Sequence, residues 1–225
     1  KLSISTDQLA FLLDAQTRGS VTQIQGLAFD SRKLQSGDLF VALRGAAADG
    51  HEYLDAALAK GAVAALVERW MPVAITQIKV DSCLAALSEW ASSVRRSSTA
   101  TFVGITGSAG KTTVKSIVAH MLSAMGTTTA TRGNYNNEIG VPLTLLDLGP
   151  EDQFAVVEMG ARFRGDIAYL CGMVAPKVRI LTAVLPAHIE TFGSIETIAE
   201  TKGEIFDGMK SDDIAVMPGD SSYVD

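Results

Sequence analysis

Residues 104–115 read GITGSAGKTTVK, a glycine-containing turn set between two apolar segments. The run Thr101-Phe102-Val103 before the turn is β-prone, and Val114 to Met125 after it has helical periodicity. One apolar stripe of that helix is predicted to contain Ile117, Val118, Met121 and Leu122. A strict Walker A loop needs a glycine five residues before Gly110, and Ile105 stands there. The stretch therefore predicts strand, turn and helix without matching the strict pattern.

The turn nevertheless meets the physical requirements for holding a phosphate group. Its backbone N–H groups and the N-terminus of the following helix would face an anion. Lys111 adds a point charge, and Thr112 adds a hydroxyl that can bind Mg²⁺. The alternative is a loose strand–turn–helix corner with an exposed lysine. On the phosphate interpretation, the nucleotide-binding residues are Gly107, Ser108, Ala109, Gly110, Lys111, Thr112 and Thr113.

Composition and charge exclude several classes of function. The chain has 225 residues, 47% of them hydrophobic, which is ample for a buried core in one or two domains. A net charge of −6 argues against nucleic-acid and anionic-membrane surfaces. No apolar run approaches the roughly 20 residues of a membrane-spanning helix. Cys83 and Cys171 lack metal or redox spacing, so we expect reduced core residues in a cytoplasmic protein.

The chain divides into two predicted domains. Residues 1–97 have a mixed α/β pattern that includes a helix over His51–Lys60, and the polar stretch RRSSTA at 95–100 resembles a linker. From residue 98 to 225 strands and helices alternate, including a helix over Ile195–Met209, which predicts a mostly parallel sheet. The predicted class is therefore α/β. Because the sequence stops directly after a strand, we expect the second domain to be incomplete.

Two polar residues follow apolar strands of this second domain. Glu158 closes the run FAVVE, and His188 comes shortly after VRILTAV. Ligands of doubly wound sheets bind at the carboxyl ends of the strands, so we expect both residues near the Lys111 turn. Glu158 could instead cap a helix, although a buried carboxylate without a partner is costly, and His188 could be structural. A metal ion beside Lys111 would supply the missing partner.

Lys202 and the segment 133–140 each allow two interpretations. Periodicity alone makes Lys202, in ETKGEIF, an exposed helix lysine. The segment GNYNNEIG could be a plain turn, because Asn and Gly dominate turns. Its amides, on Asn134, Asn136 and Asn137, would equally suit hydrogen bonding to a polar ligand.

Five motifs occur in a fixed order in the second domain: TGSAGKTT at 106–113, GNYNNEIGVP at 133–142, VVEMGA at 156–161, AHIETFGS at 187–194 and KGEIF at 202–206. Together they resemble the central ATPase domain of the Mur ligases of peptidoglycan synthesis, a family in which the phosphate loop is shortened. The last two motifs are similar to those of the branch that adds D-alanyl-D-alanine.

The first domain resembles the UDP-binding domain of the same family. The similarity lies in DSR at 30–32, GDLFVALRG at 37–45 and ADGHEYLDAALAKGAVAALVE at 48–68. The resemblance implies that UDP is held by Ser31, Arg32, Gly45 and His51. It also places Asn134 and Asn137 near the nucleotide, and Tyr135 and Asn136 in the substrate cleft.

The resemblance implies an ATP-driven amide ligase acting on UDP-N-acetylmuramoyl-tripeptide and D-Ala-D-Ala through an acyl phosphate. Lys111, His188 and Lys202 would be catalytic. One Mg²⁺ would be held by Thr112 and Glu158, and a second by His188 and a carbamylated Lys202. We expect a monomer that contacts small molecules and neither nucleic acid nor the membrane interior.

Some positions depart from the family's pattern. Ala183 stands where an asparagine is common, Pro186 precedes Ala187-His188, and Ala109 replaces a frequent asparagine of a loop that works through its backbone. The family's C-terminal domain is absent from the sequence, so we expect this chain alone not to be fully active.

Two other functions remain open at this point. Folylpolyglutamate synthase and its relatives share the ATPase core, but they lack a UDP-binding first domain, so residues 1–97 argue against them. The second alternative is a nucleotide-binding regulatory module without turnover.

Overall fold

The structure, a computed structural model, describes residues 2–45, 48–186 and 192–219. The chain forms two compact units, Lys1–Trp90 and Ala91–Asp225. The division falls within one helix, Cys83–Ser97, which we number α3. Among the described residues, no helix has the length and apolar character needed to cross a membrane.

The first unit is built on a five-stranded sheet and a small two-stranded one. The elements are β1 (Ile4–Ser5), α1 (Thr6–Leu12), β2 (Gln16–Arg18), β3 (Gln23–Ile24), β4 (Gly26–Ala28), β5 (Asp38–Val41), α2 (Leu54–Ala59), β6 (Ala64–Val67) and β7 (Thr76–Lys79). The larger sheet has the order β2-β7-β6-β5-β4, and only its β2–β7 pair is antiparallel. The smaller sheet consists of β1 and β3, which are also antiparallel.

The second unit is built on one five-stranded sheet. After α3, the elements are β8 (Thr101–Thr106), α4 (Lys111–Ser123), β9 (Thr128–Ala130), α5 (Gly140–Leu146), β10 (Phe154–Glu158), α6 (Asp166–Val174), β11 (Val178–Leu181), α7 (Ile195–Gly203) and β12 (Ile214–Val216). The strand order is β12-β11-β8-β10-β9, and every neighbouring pair is parallel. The predicted α/β class and its mostly parallel sheet are thus confirmed.

Strand β8 lies at the centre of the parallel sheet, where the chain order changes direction. From β8 the chain goes to the edge strand β9, returns to β10 beside β8, and then adds β11 on the other side. A crevice opens beyond the carboxyl ends of the strands at such a switch point. The turn after β8 and the end of β10 therefore meet at one place.

Helix α4 packs on this sheet through a narrower face than the sequence predicts. Val114, Val118 and Leu122, spaced four residues apart, contact the core around Val103 and Val156. The predicted placement of Ile117 and Met121 on that stripe is wrong, because both are more than half exposed. Each precedes a core residue by one position, and one residue turns a helix by about 100°.

Two predicted helices are shorter than periodicity indicates: the first begins later and the second ends earlier. Instead of one helix over His51–Lys60, a 3-10 turn at Gly50–Tyr53 leads into α2. Instead of one helix over Ile195–Met209, α7 ends at Gly203 and a 3-10 turn follows at Glu204–Phe206. A 3-10 turn has nearly the same spacing of apolar residues as an α-helix, so the sequence pattern does not show where one gives way to the other.

Candidate functional site: the turn after β8 and the end of β10

Glycine makes the turn between β8 and α4 possible. Gly107 has a φ of 142° and Gly110 a φ of 79°, both in a region that other residues rarely adopt. At Gly107 an added Cβ would also collide with the hydroxyl of Thr182. The turn brings α4 to a start at Lys111 without a side-chain cap. The N–H groups of residues 111–113 therefore open the helix without intrahelical acceptors, as anion-binding helix ends do.

The segment after β11 fixes the turn from the other side. Ser108 donates its N–H to the carbonyl of Ala183 (2.8 Å), and its hydroxyl donates to the carbonyl of Leu185 (3.1 Å). Thr182 donates its hydroxyl to the carbonyl of Ala109 (2.6 Å). The contact that position 183 makes with the turn comes from its backbone carbonyl, which alanine supplies.

Lys111 lies folded back over the turn. Its Nζ donates to the carbonyl of Gly107 at 2.6 Å. Burial lowers the pKa of the Lys111 ammonium, and the negative charge of Glu158 opposes that shift. The alternative of a loose corner with a solvated lysine does not describe this side chain, which is half-buried at the open end of the helix.

Glu158 ends β10 with its carboxylate fully inside the site. Thr112 donates its hydroxyl to Oε2 (3.0 Å), and Asn136 donates its amide to Oε1 (2.8 Å). The backbone N–H of Glu158 donates to the hydroxyl of Thr131 (3.0 Å). The residue is 1% exposed. These contacts are not those of a helix cap, so that alternative is set aside.

Lys115 is a site residue that the sequence interpretation missed. Its Nζ donates to the carbonyl of Gly133 (2.9 Å) and lies 3.6 Å from Oε2 of Glu158. The residue is 5% exposed. The available signal was its spacing, because position 115 lies one helical turn after Thr112 and on the same face.

The segment 133–137 reaches the site through one of its amides. Asn136 contacts Glu158 and accepts the N–H of Gly160 on its carbonyl (2.7 Å). Asn137 uses its side-chain oxygen to accept the N–H of Gly140 (2.9 Å) at the start of α5. Asn134 and Tyr135 are exposed. The segment is thus both a turn and a source of a polar side chain, and the two interpretations left open above are compatible.

Lys202 is buried, so the interpretation as an exposed helix lysine is wrong. It lies with Ile198 and Thr201 on the inner face of α7 and is 5% exposed. Its Nζ lies over the ring of Phe192, 5.6 Å from the ring centre. Burial, followed by the positive charge of Lys111, lowers the pKa of the Lys202 ammonium to about 8. His188 falls in residues 187–191, outside the part of the chain that the structure describes.

The donors at the β10 end suit a small, hard cation. Thr112 and Glu158 offer a hydroxyl and a carboxylate that already lie 3.0 Å apart. Within the described ranges no three His, Cys, Asp or Glu side chains cluster as a metal site. Proteins commonly hold Mg²⁺ with one or two oxygen ligands of their own, while water and phosphate oxygens complete its coordination shell. The residues present therefore fit this ion.

In the first unit, Arg32 and Asp30 form an exposed pair around Ser31. The guanidinium donates two hydrogen bonds of 2.9 Å to the two carboxylate oxygens. These hydrogen bonds hold the pKa of Asp30 at about 2. Arg32 is 86% exposed in its side chain, so its remaining donors face solvent.

His51 is held inside the first unit by both ring nitrogens. Nδ1 lies 2.6 Å from the carboxylate of Asp49, and Nε2 accepts the N–H of Glu68 (2.9 Å). Because Nε2 accepts, the ring is the neutral tautomer with its proton on Nδ1. Both nitrogens are engaged within the protein, so His51 can act on a ligand only by fixing the positions of Asp49 and Glu68.

The parallel sheet, the glycine turn at its switch point and the helix that follows define an α/β protein of the phosphate-loop class. Residues 105–225 match the Mur ligase middle domain, and residues 23–95 match the catalytic domain of the Mur ligase family. The chain belongs to the Mur ligase family.

Several relatives match nearly all of the chain. The UDP-N-acetylmuramoyl-tripeptide–D-alanyl-D-alanine ligase of Escherichia coli (strain K12) is 41% identical over 98% of this chain and 49% of its own length. A crystal structure of MurF from Acinetobacter baumannii has a TM-score of 0.93 at 33% identity, covering 99% of this chain and 50% of that one. MurF of Thermotoga maritima, solved with ADP, has a TM-score of 0.79 at 38% identity, covering 87% and 46%. The chain thus spans about half the length of these relatives.

Proposed function

We propose that the protein is an ATP-dependent ligase that joins D-Ala-D-Ala to UDP-N-acetylmuramoyl-tripeptide in peptidoglycan precursor synthesis. The observation that carries the proposal is the cluster of Lys111, Thr112 and Glu158 at the switch point of the sheet. The reaction named for the E. coli relative and the ADP bound by the T. maritima one support it.

The first half of the reaction uses the phosphate loop. The N–H groups at the start of α4 and the Lys111 ammonium would hold the β- and γ-phosphates, which lets a second anion approach. Thr112 and Glu158 would hold a Mg²⁺ ion, which supplies charge neutralisation on the phosphate oxygens. An oxygen of the substrate carboxylate forms a bond to the γ-phosphorus, the bond to the ADP oxygen breaks, and an acyl phosphate results.

In the second half, the amine of D-Ala-D-Ala attacks the acyl carbon, and inorganic phosphate leaves as the amine loses a proton. Near the reacting carboxylate of the substrate, a carbamylated Lys202 and His188 would together hold a second Mg²⁺. The burial of Lys202 and its pKa of about 8 support this role, because only a neutral amine reacts with CO₂. Asn136 and Tyr135 would contact the substrate, and Asn134 and Asn137 would lie near the nucleotide.

Residues 1–97 would bind the UDP end of the substrate through Ser31, Arg32 and the segment from Gly45 to His51. Residues 98–225 would form the ATP-binding domain. The free, buried thiols of Cys83 and Cys171 favour a reducing compartment, so we place the protein in the cytoplasm. We also propose that it acts as a monomer.

Phosphate release by the full-length protein tests this proposal. ATP, Mg²⁺, the UDP-linked tripeptide and D-Ala-D-Ala should together release phosphate, and leaving out any one should abolish sustained release. Sustained hydrolysis of ATP alone would contradict a ligase. Binding of ADP without any turnover would favour a regulatory module, and turnover with a folate and glutamate instead would favour folylpolyglutamate synthesis.

A further inference from the structure

Lys115 occupies a position that an ordinary structural lysine does not. Its side chain runs from the middle of α4 into the site, and its ammonium lies between the carbonyl of Gly133 and the carboxylate of Glu158. Burying an ammonium group is costly unless its charge is balanced. The balance here comes from the carboxylate that we assign to the metal.

Lys115 is the one basic side chain within ion-pair distance of Glu158 among the described residues, while Lys111 acts on that carboxylate only through its charge at longer range. Thr112 and Asn136 contribute neutral hydrogen bonds, and Lys115 forms the ion pair. Lys115 and Thr112 both approach the same oxygen, Oε2. A metal bound to Thr112 and Glu158 would therefore lie close to an ammonium that already neutralises the carboxylate.

We propose that Lys115 is a positioning residue, the built-in counter-ion of Glu158, and that it keeps the site from taking Mg²⁺ alone. The proposal rests on the proposed function in so far as Thr112 and Glu158 are the metal ligands. With Lys115 in place, its ammonium balances the charge of the Glu158 carboxylate when no metal is bound. A divalent cation that approaches this carboxylate is repelled by the same ammonium at a distance of a few ångströms. The phosphates of a nucleotide add the negative charge that the metal needs, so metal and nucleotide enter together.

The same ammonium holds the segment 133–137 in place. Its hydrogen bond fixes the carbonyl of Gly133, while Asn136, three residues later, contacts the other oxygen of Glu158. Substituting Lys115 by glutamine keeps a donor for that carbonyl and removes the charge. The Gln variant therefore isolates the electrostatic role from the mechanical one.

Thermal unfolding in metal-free buffer tests the ion pair. Lys115→Gln and Glu158→Gln should each lower Tm by about 5 °C or more, because each leaves a buried charge unpaired. The double variant should lose clearly less than the sum of the two. The exposed control Lys210→Gln should leave Tm within about 1 °C of the parent. Additive losses, or a Lys115→Gln variant that behaves like the control, would overturn the counter-ion assignment.

Titration with MgCl₂ tests whether Lys115 keeps the site from binding Mg²⁺ without a nucleotide. Mg²⁺ alone should raise the Tm of Lys115→Gln at concentrations on the order of tenfold below those that affect the parent. If Lys115→Gln does not fold well enough, Lys115→Met serves, since it also lacks the charge. Equal Mg²⁺ responses of parent and variant would overturn the proposal. Failure of the parent to bind ADP with Mg²⁺ would instead count against the proposed function, and the Tm comparison would still decide on the ion pair.

Discussion

The hydroxyl of Thr112 donates a 3.0 Å hydrogen bond to the carboxylate of Glu158, across 46 positions of sequence. Strands β8 and β10 are parallel neighbours, with Glu158 beside Ile105 in register. This register brings the end of β10 level with the turn that follows β8. The first turn of α4 and the carboxylate at the end of β10 therefore form one site, although the two segments are far apart in the sequence.

Replacement of Gly107 by alanine should damage the turn. The backbone there has a φ of 142°, and a Cβ would meet Thr182. We expect a loss of about 2 kcal/mol or more in the free energy of unfolding, together with weaker ADP binding. Gly172→Ala is the matched control, because that glycine lies within α6 and its Cβ would meet open space. It should be neutral or stabilising by up to about 1 kcal/mol. Equal behaviour of the two variants in urea unfolding would refute the strain argument.

The site shows which parts of such an arrangement a sequence reveals. Thr112 and Glu158 are identified because Thr112 lies in the turn and helix start that follow β8 and Glu158 ends β10, and strand ends meet at a switch point. Lys115 is missed although it lies one helical turn after Thr112, because that spacing does not reveal a partner 43 positions away at the end of β10. Thr182 is missed for a similar reason, since its contact with the turn depends on β11 lying beside β8.

Burial was the least predictable property. Helical periodicity groups Ile117 with Val118, yet only the second contacts the sheet, because the width of the packed face depends on what lies opposite. For Lys202 the same pattern indicates solvent, while α7 in fact turns it inward beside Ile198. The fold class needed only alternation of strands and helices, which is local. Which face is covered is decided by tertiary contacts.

Carbamate formation on Lys202 should depend on pH. Its ammonium has a pKa of about 8, so the neutral amine that reacts with CO₂ is the minor form below that value and predominates above it. The carbamate signal in ¹³C NMR of protein equilibrated with labelled bicarbonate should therefore grow as the pH rises from 7 to 9 (about one unit on either side of the pKa). Lys202→Met should lack the signal. If Lys202→Met kept the signal unchanged, the carbamate would lie on another amine of the protein and not on Lys202.

Variants of Lys202 should separate charge from metal binding. Lys202→Ala should lose ligase activity, and short carboxylic acids should restore part of it by supplying an oxygen ligand. Lys202→Arg should remain inactive although it keeps the charge, because a guanidinium cannot become this ligand. Normal activity of the Arg variant in the phosphate-release assay would end the carbamate hypothesis.

The two units should divide the ligands between them. Arg32→Ala should weaken binding of the UDP-linked tripeptide by about tenfold or more, because it removes an exposed cation that can pair with phosphate. Binding of ADP should stay within about twofold of the parent. The neighbouring exposed Lys33→Ala is the control and should leave both affinities nearly unchanged. Equal losses for the two ligands in calorimetry would be inconsistent with this division.

The central claim is that the turn after β8 holds the phosphates of ATP during ligation, and the rate of phosphate release by Lys111→Ala tests it most directly. With all substrates present and circular dichroism matching the parent, the full-length variant should be slower by about 100-fold or more. The reason is that transition-state charge loses its main side-chain counter-charge, on the order of 3 kcal/mol. A rate like that of the parent would contradict the account.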